Sequence, residues 1–237
     1  MRARFIKRLR AHGAMRIGRF AAREGRAQGM QDSLKPEEGG RAPQRAAAPD
    51  DPRLARLRAI VAEHSLMTGD FVLSSGRRSR YLFQLRQTVL HPEGAWLVGG
   101  LIVDFMRRSG LACIGGLEMG AVPVVSAVAV RSHDMGYPVA AFFARKQAKS
   151  HGAKERINGY LENGAEILLV DDVSTTGGSL LKTLDAIRES GLEVSCRHAL
   201  TIVDREEGAT ENLAKHGITL HALLFKSDFA IPGLDEA

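Results

Sequence analysis

A chain of 237 residues with 44% apolar and 25% charged side chains has an ordinary globular composition, enough for one sizeable domain with an appendage. Its formal charge of +6 invites a nucleic-acid reading, but residues 1–58 carry a net +9 and the remainder −3, so the folded part is mildly acidic. Cys113 and Cys196 stand far apart in apolar stretches without metal-like histidine spacing, and no run reaches the ~18 apolar residues of a membrane span; disulfide scaffold, zinc module and membrane-spanning helix are set aside, and buried free thiols in a reducing cytoplasm are expected.

Residues 1–50 are rich in Arg, Ala and Gly, with Gly13, Gly18 and Gly25 interrupting any basic helix, and Asp32–Pro52 has linker composition. An upstream-start extension, a targeting peptide and a nucleic-acid or partner arm all fit such a segment. Little serine and an early Glu24 count against a transit peptide, so a dispensable, disordered extension over residues 1–50 is the expectation, with a folded domain over 51–237. Pro52 suits a helix start, and Leu54, Leu57, Ile60 and Val61 follow at helical spacing. Residues 69–83 alternate as a hairpin with a basic turn, Phe71/Leu73 against Tyr81/Phe83. A helix from Pro92 to Ser109 is stopped by Gly110. It is followed by a strand at 111–114, a loop at Gly115–Gly120, a helix at 121–132 and a strand at 138–144.

The texture then changes. Residues 145–154, RKQAKSHGAK, are polar and basic and cannot be core, so a mobile loop is expected. Ile167–Val170 is short, branched and apolar, as a buried parallel strand requires, with Asp171 and Asp172 where it should end. A turn, Val173-Ser174-Thr175-Thr176-Gly177-Gly178, leads into an amphipathic helix with Leu180, Leu181, Leu184 and Ile187, closed by Gly191. A strand over 194–203, a charged turn Asp204–Gly208, a helix over 210–216 and a strand over 218–224 complete an α/β alternation that predicts a parallel sheet covered on both faces.

Ligands of such sheets bind beyond the carboxyl ends of the strands, where segments 115–120, 145–154, 171–179 and 204–208 converge. The 171–179 turn is neither a Walker A loop nor a dinucleotide fingerprint, because it lacks Gly-Lys-[Ser/Thr] and Gly-x-Gly-x-x-Gly. Two adjacent carboxylates would repel a bare phosphate. They make sense if they hold sugar hydroxyls while the following amides and hydroxyls hold the sugar's phosphate at a helix N-terminus, which points to a ribose phosphate.

VDDVSTTGGS resembles the phosphoribosyl pyrophosphate (PRPP) signature of type I phosphoribosyltransferases. Three further segments narrow the resemblance to the orotate branch: FVLSSGRRSRYLF is similar to its N-terminal substrate hairpin, RKQAKSHG to its catalytic loop, and VDREEG to its Asp-Arg segment beside the pyrimidine. The resemblance covers about residues 55–229. It implies a type I phosphoribosyltransferase fold: a central, mainly parallel sheet flanked by helices, a small N-terminal hood and a flexible catalytic loop.

It further implies transfer of phosphoribosyl from PRPP to orotate, giving orotidine 5′-monophosphate and pyrophosphate in pyrimidine (UMP) biosynthesis. Lys149, His151, Arg145 and Lys146 would neutralise the leaving pyrophosphate. Asp171, Asp172, Val173, Ser174, Thr175, Thr176, Gly177, Gly178 and Ser179 would hold PRPP, and Thr175, Arg205, Leu82 and Phe83 orotate, with Arg205 facing its carboxylate. The 115–120 loop would touch pyrophosphate through its backbone. Mg²⁺ would be carried mainly by PRPP with no dedicated protein ligand, and a cytoplasmic homodimer would share the catalytic loop. No membrane or nucleic-acid partner is expected. Ser74 and Gly120 depart from the family pattern, many relatives having lysine at both. Two other readings are disfavoured: a purine or salvage phosphoribosyltransferase by the Arg-Lys-x-x-Lys-x-His loop and Arg205, and a nucleic-acid-binding regulator of the same fold by the lysines of that loop.

Overall fold

The computed structural model describes residues 44–72, 78–147 and 156–231. Nine strands are present among these residues: β1 Gln44–Arg45, β2 Leu66–Val72, β3 Arg78–Phe83, β4 Cys113–Leu117, β5 Ala140–Ala144, β6 Ile157–Gly159, β7 Glu166–Ser174, β8 Ser195–Asp204 and β9 Thr219–Phe225. The helices are α1 Pro52–His64, α2 Arg86–Leu90, α3 Pro92–Ser109, α4 Ala121–Asp134, α5 Gly178–Glu189 and α6 Ala209–Ala214. Seven strands form one sheet in the order β1-β9-β8-β7-β4-β5-β6, parallel throughout except for β6. Strands β2 and β3 pair antiparallel as a separate two-stranded sheet, the expected hood.

Local chemistry explains the helix limits. The Asp51 carboxylate accepts from Arg53 N at 2.9 Å with Pro52 in the first turn of α1. His91 caps α3 ahead of Pro92, and Gly110 ends it in the left-handed region (φ 70°). The central strand β7 buries Ile167, Leu168, Leu169 and Val170 completely. Its two faces feed two apolar clusters, with Leu168 and Val170 on one side and Ile167 and Leu169 on the other. That alternation between two covered faces is what a continuous apolar run predicts in a parallel sheet.

Three boundaries differ from expectation. Residues 44–50, read as linker, are built into the domain. β1 adds to the sheet edge beside β9, Arg45 makes a bidentate ion pair with Asp228 (2.8 and 2.9 Å), Arg108 donates to Ala46 O (2.7 Å), and Ala46 and Ala47 are buried. Gly115 and Gly116, read as loop, lie inside β4. A side chain at Gly115 would strike the Phe142 ring and one at Gly116 the Val170 carbonyl, so glycine marks close packing and not a turn. β7 runs on through Asp171, Asp172, Val173 and Ser174 because its pairing with Thr201–Asp204 of β8 continues past the apolar residues. Helix α2 and strand β6 were not anticipated.

Both cysteines are free thiols, Cys113 buried and Cys196 partly so, and burial pushes each to about 11. Among the described residues no helix is long and apolar enough to cross a membrane.

Candidate active site

The carboxyl ends of β8, β7, β4 and β5 lie side by side along one end of the sheet. β7 contributes the carboxylate pair. Asp171 is 8% exposed, its Oδ1 accepts from Asp172 N (3.0 Å), and Asp172 Oδ1 accepts from Val173 N (2.9 Å). Burial first, and then the Asp172 charge, raise the Asp171 pKa well above the usual carboxylate range, while Ser179 works the other way. A group in this state gains from any donor that reaches it. The loop after β4 comes close enough that a Cβ at Gly120 would lie 2.5 Å from Asp172 Oδ1 and 3.0 Å from Asp171 Oδ1. Glycine at this position thus leaves the carboxylates room.

Beyond the pair, Ser174 is 2% exposed and its hydroxyl has no hydrogen-bond partner among the described residues. Thr175 is half-buried and Thr176 exposed, with Thr176 O accepting from Asn212 Nδ2 (2.8 Å). Gly177, left-handed at φ 74°, precedes α5, whose N-terminus has no side-chain cap and no acidic residue in its first turn. Gly178 and Ser179 are half-buried there. An uncapped helix start offers N–H groups and the positive dipole end to an anion.

The root of the basic segment is fixed at both ends. Glu118 accepts from Lys146 N (3.0 Å) and faces Arg145 Nε at 3.5 Å. Across the segment, Arg156 donates to Arg145 O (3.1 Å) and Lys146 O (3.3 Å) and pairs with Glu189. Arg145 is half-buried and Lys146 exposed. Lys149 and His151 lie outside the described residues, as does Ser74 of the hairpin turn.

At the end of β8, Arg205 is 5% exposed and its main-chain N donates to Ser174 O (2.9 Å), so it adjoins the β7 turn. Its guanidinium meets Glu207 and Tyr81 of the hood. Leu82 and Phe83 are not brought together into one surface. Successive strand residues face opposite ways, and Phe83 is buried edge-on against Tyr81 and Phe229. Arg156 was not singled out in the sequence, and Tyr81, Glu118 and Glu207, although inside segments read as facing substrate, were given no contacts of their own. A tyrosine inside the alternating hairpin was visible in sequence, but nothing there showed that it would meet Arg205.

Among the described residues, no group of three or more His, Cys, Asp or Glu stands ready to hold a metal ion.

The family model "Phosphoribosyl transferase domain" matches residues 111–227. The orotate phosphoribosyltransferase of Rhodopseudomonas palustris (strain BisB5) is 45% identical over 179 residues, 74% of this chain and 95% of that protein; that of Aquifex aeolicus is 40% identical over the same span. Among solved structures, Mycobacterium tuberculosis orotate phosphoribosyltransferase in complex with PRPP aligns with a TM-score of 0.64 at 28% identity, covering 81% of this chain and all of that one. The same enzyme in complex with Fe(III) dicitrate aligns at 0.65 and 36% identity, covering 75% and 98%. Sequence, fold and the carboxylate–hydroxyl–glycine turn after β7 agree: this chain belongs to the orotate phosphoribosyltransferase family.

Proposed function

We propose that this protein transfers the 5-phosphoribosyl group of PRPP to orotate, giving orotidine 5′-monophosphate and pyrophosphate, a step of pyrimidine (UMP) biosynthesis. The observation that carries the reading is the end of β7, where two adjacent carboxylates, one of them buried with its pKa raised, stand one turn before an uncapped helix start. Asp171 and Asp172 accept from the ribose 2′- and 3′-hydroxyls. Residues 173–179 take the 5′-phosphate, to which the helix dipole adds roughly 0.3–1 kcal/mol.

As the bond from the ribose anomeric carbon to pyrophosphate breaks and its electron pair leaves with the oxygen, positive charge develops on the sugar while a pyrimidine nitrogen closes on the same carbon. Arg145, Lys146, Lys149 and His151 stabilise the leaving charge; one well-placed donor of this kind is typically worth about 3–4 kcal/mol. Glu118 and Arg156, which hold the start and finish of that segment, set where it can act. Arg205 faces the orotate carboxylate, with Thr175 nearby.

Mg²⁺ fits this site as an ion carried on PRPP oxygens, because the carboxylates present are a pair and not a cage, and magnesium keeps several of its waters. When bound it would neutralise pyrophosphate charge. Chelation is then expected to abolish turnover while leaving the unfolding temperature of the ligand-free protein unchanged.

A homodimer sharing the basic segment is supported by an exposed apolar face. Leu90, Trp96, Met119 and Val130 border a cavity of about 720 Å³ between α2, α3 and α4, and Met119 belongs to the loop at the carboxylates. A solution mass of twice the 25.7 kDa chain is expected. The free thiols fit a reducing cytoplasm.

The test is consumption of orotate by purified protein with PRPP and Mg²⁺, followed as the fall in orotate absorbance. Turnover of uracil or hypoxanthine in place of orotate would sink the assignment.

A further inference from the structure

The buried Arg205 is held along one edge by the protein itself. Nη2 lies 2.9 Å from Glu207 Oε1, and Nε donates to the Tyr81 hydroxyl over 3.3 Å. Tyr81 in turn donates to the same Glu207 oxygen over 3.0 Å, and its ring lies 4.6 Å from the guanidinium carbon. Nη1, at the other end of the plane, has no hydrogen bond among the described residues.

A guanidinium is a rigid planar fork, so fixing its Nε–Nη2 side fixes the direction in which its remaining donors point. A carboxylate arriving at that end meets donors whose rotamer entropy has already been lost, which is how preorganisation strengthens binding. We propose that Glu207 is a positioning residue for base recognition: with Tyr81 it clamps one edge of Arg205 and turns the free end toward the carboxylate of the pyrimidine. This rests on the reading of Arg205 as the partner of that carboxylate.

The test compares KM for orotate and for PRPP, with kcat, across wild type, Arg205→Ala, Glu207→Ala and Glu207→Gln. Arg205→Ala should raise the orotate KM strongly. Glu207→Ala should raise it about ten-fold, with the PRPP KM and kcat within about two-fold, as the loss of a ground-state contact to one substrate requires. Glu207→Gln, whose amide oxygen still accepts from both donors, should recover most of the loss. If Arg205→Ala raises the orotate KM and Glu207→Ala does not, the clamp is refuted while Arg205 keeps its role. A lower orotate KM in both Glu207 variants also refutes it, marking the carboxylate as a competitor of the substrate. Equal rises in both KM values would indicate general damage and refute it too. An unchanged orotate KM in Arg205→Ala removes the reading beneath the proposal.

Discussion

β7 and β8 lie side by side in parallel register, Ser174 opposite Asp204, and their ends handle charge in opposite ways. At the end of β7 the carboxylate of Asp171 is buried beside that of Asp172, the Ser174 hydroxyl is buried without a partner among the described residues, and α5 begins without a side-chain cap. At the end of β8 the arginine is matched internally, although burial also raises the Asp204 carboxyl above its ordinary range. Asp204 Oδ1 accepts from Glu206 N (2.9 Å), and Arg205 is matched by Glu207 and Tyr81. Buried polar groups normally find partners, so the unmet set at β7 marks where a ligand supplies them. The difference teaches a division of labour. Under the proposed function, the sugar-phosphate cradle would be completed by its substrate, while the base end would be arranged beforehand.

The largest expected effect concerns the charge that neither strand end supplies. Lys149→Ala should lower kcat by roughly 10²–10³ with much smaller changes in either KM, since its contact strengthens as pyrophosphate leaves. An unchanged kcat, with chemistry limiting turnover, would take Lys149 out of the mechanism.

A truncation series tests what supports the β8 end. Removing residues 1–50 deletes Arg45, whose partner Asp228 adjoins Ser227; Ser227 donates through N (2.8 Å) and Oγ (3.1 Å) to Glu206, next to Arg205. Together with loss of the buried Ala46 and Ala47, this should cost roughly 1–3 kcal/mol. The orotate KM should rise more than the PRPP KM. Removing only residues 1–43 should leave kcat and both KM values unchanged. Matching unfolding temperatures for the two truncations would show that β1 contributes nothing.

The smallest effect is that of Tyr81→Phe. It deletes one hydroxyl from the Arg205 clamp and should weaken orotate by roughly 0.5–1.5 kcal/mol while sparing PRPP. Equal effects on both substrates would erase the proposed separation of the two ends.

The sequence was most legible where structure is local. The α3 limits follow from Pro92 and Gly110, and the β7–turn–α5 unit from a branched apolar run followed by amphipathic spacing. It was least legible where long-range pairing decides. Gln44 and Arg45 are two polar residues in a low-complexity stretch, and only β9 makes them a strand. Ser174 and Thr175 read alike as turn residues, yet pairing with β8 puts Ser174 in the strand. Within the site, the carboxylate pair and the basic run announced themselves by residue type. The Tyr81–Arg205–Glu207 cluster did not, because its partners lie 124 and 126 residues apart and each alone passes for an ordinary hairpin or turn residue.

The unmet demand at β7 has a cost in stability that can be measured directly. The folded-state pKa of Asp171 lies above its ordinary value of 3.8, so between those two values the folded chain binds a proton that the unfolded chain has released. Ligand-free stability therefore falls as pH rises through that window. Asp171→Asn removes the buried charge. Thermal unfolding of wild type and Asp171→Asn at pH 7 without ligand should show the variant melting higher, by about 2–4 °C for each kcal/mol relieved, although it no longer turns over orotate. A variant that melts lower than wild type, or that keeps full turnover, would contradict the account of β7 as a cradle completed only by its substrate.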